Sequence, residues 1–259
     1  ATGIDLWLAA VSYGVTGITV LLARDTAPEY TRALSAQARI ANDILAALGY
    51  QDTAVRVCDE LGLASTLWDA PRGLAVRDLA RWNAGNDKRA TLEMAFDHLF
   101  AHAPTPQSVI TLAAGAPFGA IRVDAERCTM CLACVGACPE GALLDNPERP
   151  ELRFIESKCV QCGLCAKTCP ENAIALVPQL DLRPEARKPR QLNIAESAFC
   201  TRCGKPLGAK PVIERMLSRL TGHRMFVEPK SLERLRMCAD CRVIDLYSEE
   251  KPVDIRDLP

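Results

Sequence analysis

The residues with the most chemistry to offer are cysteines. The chain has 13, and all but Cys58 stand at Cys128 or beyond. Cys128, Cys131, Cys134 and Cys138 form a C-x2-C-x2-C-x3-C run closed by Pro139, and Cys159, Cys162, Cys165 and Cys169 form a second closed by Pro170. Each cysteine of the second run lies 31 residues after its counterpart (159 − 128). A four-iron cubane needs four thiolates arranged about it. Three on one tight turn can face the same core, whereas the fourth points away and the proline turns the chain onward. That reading assigns Cys128, Cys131, Cys134 and Cys169 to one cluster, and Cys159, Cys162, Cys165 and Cys138 to another. Gly136 and Gly163 are expected to relieve crowding, and small residues such as Ala133, Ala137 and Ala166 to let backbone N–H groups reach sulfur. The bland alternatives are zinc sites or bare thiols. No His or Asp replaces a ligand in either run, which favours electron transfer over catalysis at the metal.

Four more cysteines stand apart. Cys200-x2-Cys203 and Cys238-x2-Cys241 are pairs separated by 34 residues. Neither pair has the third cysteine or the trailing Cys-Pro of the two runs. Such pairs can close a tetrahedral four-sulfur site, so structural zinc is the leading reading. A rubredoxin-like iron or a third cluster, and unmetallated thiols, are the alternatives. His223 is a spare ligand read as a bystander. Reduced, metal-binding thiols in these numbers point to a cytoplasmic compartment.

These residues need elements to hold them. Residues 1–116 read as an α/β domain, a short parallel sheet with helices. Ile18–Leu22 is strand-like, Thr26 and Glu29 form a capping box, Pro28 sits early in the helix, and Gly49 stops it. Thr53–Cys58 supplies the second strand of a β-α-β unit. A second helix is expected near Asp87–Ala101, and another strand at Ser108–Leu112. Residues 117–180 are an α+β unit carrying the two runs, 181–198 an extended linker, 199–247 a four-cysteine zinc-ribbon-like module with a helix over Val212–Leu220, and 248–259 a loose tail. Leu6–Ala23 has 18 uncharged residues. Gly14 and Gly17 interrupt it, so it reads as a helix, a turn and a buried strand rather than a membrane span. No basic segment precedes it, and the chain, which begins with Ala, reads as a fragment or a processed product.

Other function classes find little support. Formal net charge is −1 and aromatics make up 5% of residues, which gives no footing for nucleic acid. No GxGxxG or Walker loop occurs. Cys58 reads as a buried small residue, with a helix N-terminus as the reactive alternative. His98 and His102 stand four apart without a visible third ligand.

The segment from about Ile121 to Val177 closely resembles bacterial two-cluster ferredoxins in every ligand. The resemblance implies two [4Fe–4S] clusters, one-electron chemistry and a pseudo-twofold α+β fold. On a wider scale, "GAPFGAI", "CVGACPEGALLDN", "RFIE" and "CVQCGLCAKTCPE" resemble a family of large proteobacterial iron–sulfur proteins encoded beside formate dehydrogenase components, of which this chain looks like the C-terminal part. Thr16–Gly49 is faintly similar to the delta subunit of methyl-viologen-reducing hydrogenases. That subunit binds an iron–sulfur centre through several cysteines, whereas this domain has Cys58 alone, which implies docking or scaffolding. The expectation is an electron carrier, rather than an enzyme in its own right, working between a redox enzyme and another carrier, with formate dehydrogenase components among the implied partners. The alternative is a non-redox scaffold or assembly partner with structural clusters.

Overall fold

The computed structural model describes residues 2–50, 54–69 and 76–249, which group into two compact units. The elements run α1 (Ile4–Ser12), β1 (Ile18–Leu21), α2 (Pro28–Ala47), β2 (Val55–Cys58), α3 (Glu60–Trp68), α4 (Lys88–Ala101), β3 (Val109–Thr111), β4 (Gly119–Val123), α5 (Ala133–Gly136), β5 (Leu143–Leu144), β6 (Glu151–Phe154), α6 (Leu164–Thr168), β7 (Ile174–Asp181), β8 (Arg190–Ile194), β9 (Ser197–Phe199), β10 (Pro206–Ala209), α7 (Lys210–Leu220), α8 (Pro229–Arg234) and α9 (Ala239–Glu249). The fold is a mixed α/β one built on small sheets.

The first unit takes in the chain up to Ala120, with Cys159–Gln161 and Val177–Arg187. Its β1-α2-β2 stretch is the expected β-α-β unit, with the strands parallel from Ile18↔Val55 to Leu21↔Cys58. Thr53 lies outside the described residues. Gly49 stops α2 as read: at φ +82° it lets its N–H reach Ala46 O while Tyr50 N–H reaches Leu45 O. The start of α2 differs from the capping box. Its N-cap is Ala27, with no side-chain bond. Thr26 stands one residue too early, and its N–H donates to Ala23 O in the preceding turn. Leu8, Ala41, Ile44, Leu48, Ala95 and Leu99, from α1, α2, α4 and the residue after α2, are fully enclosed and form the centre of the core.

Leu6–Ala23 resolves into α1, a turn at Tyr13 and Gly14, and β1, whose side chains are half-buried or exposed rather than buried. Among the described residues no helix is long and apolar enough to cross a membrane. Ser108–Leu112 yields β3, which pairs antiparallel with β7 from Val109↔Asp181 to Thr111↔Gln179 and does not extend the parallel sheet. Gly119 sits where a Cβ would collide with Val177 O and the Gln161 carboxamide. Gly119→Ala is therefore expected to cost about 1–3 kcal/mol by overpacking, read as a lower denaturation midpoint at unchanged slope.

The second unit takes in Ile121–Lys158, Cys162–Leu176 and the chain from Lys188 onward. Two backbone bonds show how its repeat is built. Asp124 N–H donates to Ala173 O at 2.8 Å, and Ile155 N–H donates to Ala142 O at 2.8 Å. Moving 31 residues turns Asp124 into Ile155 and Ala142 into Ala173. The lead-in of each half thus pairs with the exit of the other, as a pseudo-twofold axis requires. The stretch read as a linker contributes β8, which joins β5 and β6 in a sheet of order β5-β6-β8. Ser248 and Glu249, placed in the tail by sequence, end α9, and residues 250–259 lie outside the described residues.

Candidate metal centres

The two cysteine runs repeat in backbone detail. Met130, Leu132 and Gly141 adopt positive φ (57°, 58°, 58°), and so do Gln161, Gly163 and Asn172 (52°, 76°, 48°), each 31 residues later. Left-handed backbone at non-glycine residues persists only where the surroundings impose it. Each loop then enters a short helix at the same offset, α5 at Ala133 and α6 at Leu164. Exposure repeats as well: Cys134 and Cys165 are buried, Cys131 and Cys162 exposed, and the other four intermediate. Ala142 N–H reaches Cys138 Sγ at 3.3 Å, and Ala173 N–H reaches Cys169 Sγ at 3.3 Å. Hydrogen bonds to sulfur are one of the levers on a cluster's potential. Gly163 takes the left-handed turn at φ +76°, whereas Gly136 lies in α5.

Cys128, Cys131, Cys134 and Cys169 line one cavity, with Met130, Leu132, Leu152 and Ile174 among its apolar walls and Glu171 at its side. Three cysteines of one run and the fourth of the other thus come together around one space. The donor set and apolar walls suit an iron–sulfur core. Burial pushes the Cys134 thiol up to about 12, with Cys128, Cys131 and Cys165 adding to the rise. Such a thiol gives up its proton at neutral pH when a metal takes its place. Of the other set, Cys138, Cys162 and Cys165 belong to the second unit and Cys159 to the first. What recurs in them is the local loop geometry.

The last four cysteines do converge. The sulfurs of Cys200, Cys203, Cys238 and Cys241 all lie within 4.8 Å of one another. Cys203 Sγ and Cys238 Sγ are 3.7 Å apart. A tetrahedron with Zn–S bonds of about 2.3 Å has an edge of about 3.8 Å, so the cage has the size of a single ion. Cys200 and Cys203 sit in the turn between β9 and β10, where Gly204, at φ +73°, returns its N–H to Cys200 O. Cys238 and Cys241 sit at the start of α9, so the second pair comes from a helix end rather than a second hairpin. Cys238 N–H donates to Cys200 Sγ at 3.3 Å and Cys241 N–H to Cys238 Sγ at 3.5 Å. The first of these brings the Cys200 thiol down to about 6, whereas burial pushes Cys241 up to about 12. His223 is no part of the cage; its Nδ1 accepts from Met225 N–H.

A family model for the 4Fe-4S dicluster domain matches residues 120–170. This segment is a ferredoxin-like dicluster domain. No curated protein matches the chain.

Around the dicluster domain, several side chains were not picked out as functional by sequence. Gln161 Nε2 donates to Ala120 O at 2.8 Å and to Cys159 Sγ at 3.5 Å, where the first loop has Met130. Ala142 and Ala173 are the N–H donors to the fourth cysteines, and their shared offset from Cys138 and Cys169 was the signal available. Glu171 beside the cavity is bound by Arg215 and Arg219 of α7. Among the other candidates, Cys58 ends β2 half-buried, ahead of Asp59, which caps α3. The His98 and His102 rings lie 4.6 Å apart at a 42° tilt, with His98 Nε2 bonded to Asp78 O, and among the described residues they join no group of metal-ligand size.

Proposed function

We propose that this chain is an electron-transfer protein that relays single electrons through two [4Fe–4S] clusters, one held by Cys128, Cys131, Cys134 and Cys169 and the other by Cys159, Cys162, Cys165 and Cys138. The observation that carries the reading is the cavity that joins Cys169 to the first three cysteines of the opposite run. When bound, such clusters supply reversible one-electron chemistry. The protein's part is to hold eight thiolates, direct the Ala142 and Ala173 N–H groups at sulfur, and wall off solvent with apolar side chains. Exposed Cys131 and Cys162 mark where each loop approaches the surface. A zinc ion at Cys200, Cys203, Cys238 and Cys241 fixes the fold of the C-terminal segment, because the cage matches one tetrahedral ion. A cytoplasmic location follows from the number of reduced, metal-binding thiols, and redox partners, formate dehydrogenase components among them, follow from the sequence resemblance.

The test is metal analysis with spectroscopy on anaerobically purified or reconstituted protein. The expected content is about eight irons and about one zinc per chain. Dithionite should bleach the visible absorption and produce an EPR signal. Protein that carries iron yet neither bleaches nor becomes EPR-active would sink the electron-transfer reading and favour the scaffold alternative.

A further inference from the structure

The dicluster domain is symmetric in its backbone but not in its charges. Glu171 follows Pro170, and its counterpart 31 residues earlier is Glu140, which follows Pro139. Glu140 is exposed, with no ion pair among the described residues. Glu171 lines the cavity of Cys128, Cys131, Cys134 and Cys169 and keeps only 12% of its side chain exposed. Arg215 grips it with both arms, Nε to Oε1 at 3.2 Å and Nη2 to Oε2 at 2.9 Å. Arg219, one turn later on α7, adds Nη2 to Oε1 at 3.2 Å. One carboxylate with two guanidinium groups leaves a local charge of +1 beside the first cavity. At the equivalent place in the other half Glu140 carries −1, and the cation that reaches the second run among the described residues is Arg89, whose Nη2 donates to Cys159 O at 3.4 Å, so the two halves still differ in charge.

We infer that Glu171, Arg215 and Arg219 are a charge clamp that makes the two clusters unequal, raising the potential of the one at Cys128, Cys131, Cys134 and Cys169 above that of its partner. The inference rests on the two-cluster reading above. Reduction adds a negative charge to a cluster, and nearby positive charge favours that state, the more so where the carboxylate is mostly screened from water. The three side chains are positioning groups that touch no ligand sulfur in this arrangement. The first cluster then becomes the site where an arriving electron rests, and the second the site it passes through.

The test is an EPR-monitored redox titration of the full chain and three variants, with iron content and circular dichroism recorded for each. The wild type should show two one-electron steps. Arg215→Gln with Arg219→Gln should lower the upper step alone, cutting the reduced fraction of that cluster at fixed potential about tenfold, which is about 59 mV for one electron. Glu171→Gln, which leaves both cations in place, should move the same step upward. Lysine at both arginine positions should restore the wild-type value, a pattern that lost packing alone would not give. If the double Gln variant loses iron, Glu171→Gln decides: an upward shift supports the clamp and an unmoved step overturns it. Iron-loaded variants with both steps unmoved would overturn the clamp and leave the two-cluster reading standing. Wild type without iron would overturn both.

Discussion

Replacing Cys200 with alanine is expected to strip the metal from the four-cysteine cage and unfold the segment around it. Among the described residues from Ser197 onward, the buried apolar side chains are Ala209 and Leu217, with Cys200 and Cys241 themselves. Phe199, Val227, Val243, Ile244 and Tyr247 are all exposed. A segment of about 50 residues with so small a core needs a staple. A structural zinc contributes roughly 10–16 kcal/mol of apparent binding energy to folding in such modules, far more than these few buried groups supply. The alanine variant should hold less than about a tenth of the wild-type zinc and be cut by protease within residues 199–247, while the dicluster domain keeps its iron. Acid should act in the same direction. Burial holds the Cys241 thiol up to about 12, so at neutral pH the metal must displace its proton, and binding should weaken as pH falls. A variant that keeps both zinc and protease resistance would show that something other than the cage folds the segment.

What was legible in the sequence was whatever is set by local spacing. The 31-residue offset, the cysteine order and the trailing prolines carried the repeat, and the left-handed positions from Met130 to Asn172 follow it residue by residue. Gly49 announced the end of α2 because only the last turn and one glycine are involved. Thr26 failed as a cap because a shift of one residue, invisible in composition, makes Ala27 the N-cap and leaves the Thr26 N–H closing the preceding turn. The linker residues Arg190–Ile194 gave no strand signal because their partner, β6, sits some 40 residues upstream, and β pairing of that kind depends on what the edge of a sheet offers. Arg215 and Arg219 looked like any exposed helix face at i, i+4 spacing. Their partner Glu171 lies 44 residues away in sequence from Arg215, and no pattern within α7 points to it. The four-sulfur cage was visible as pairs, but that its second half starts a helix was not, since a C-x2-C pair suits a hairpin turn and a helix end equally well.

The crossed wiring proposed for the two cysteine runs predicts a pattern of non-additivity that an uncrossed arrangement cannot produce. Cys169 lines the cavity with Cys128, Cys131 and Cys134, and the lead-in and exit bonds at Asp124–Ala173 and Ile155–Ala142 show that the two halves interleave. Removing any one ligand of a cluster should lose that cluster, so Cys128→Ala and Cys169→Ala should each lower iron from about eight to about four per chain. Combined, they act on the same cluster and should leave about four, no fewer than either alone. Cys128→Ala with Cys138→Ala strikes both clusters and should leave almost none. If each run instead ligated its own cluster, the outcomes would exchange, with the Cys128 and Cys138 pair leaving about four irons and the Cys128 and Cys169 pair leaving almost none. Iron analysis of the two double variants therefore decides the wiring even if the absolute occupancy of the wild type falls short of eight. Additive losses in both would overturn both wirings, because each of them places one of the two pairs on a single cluster.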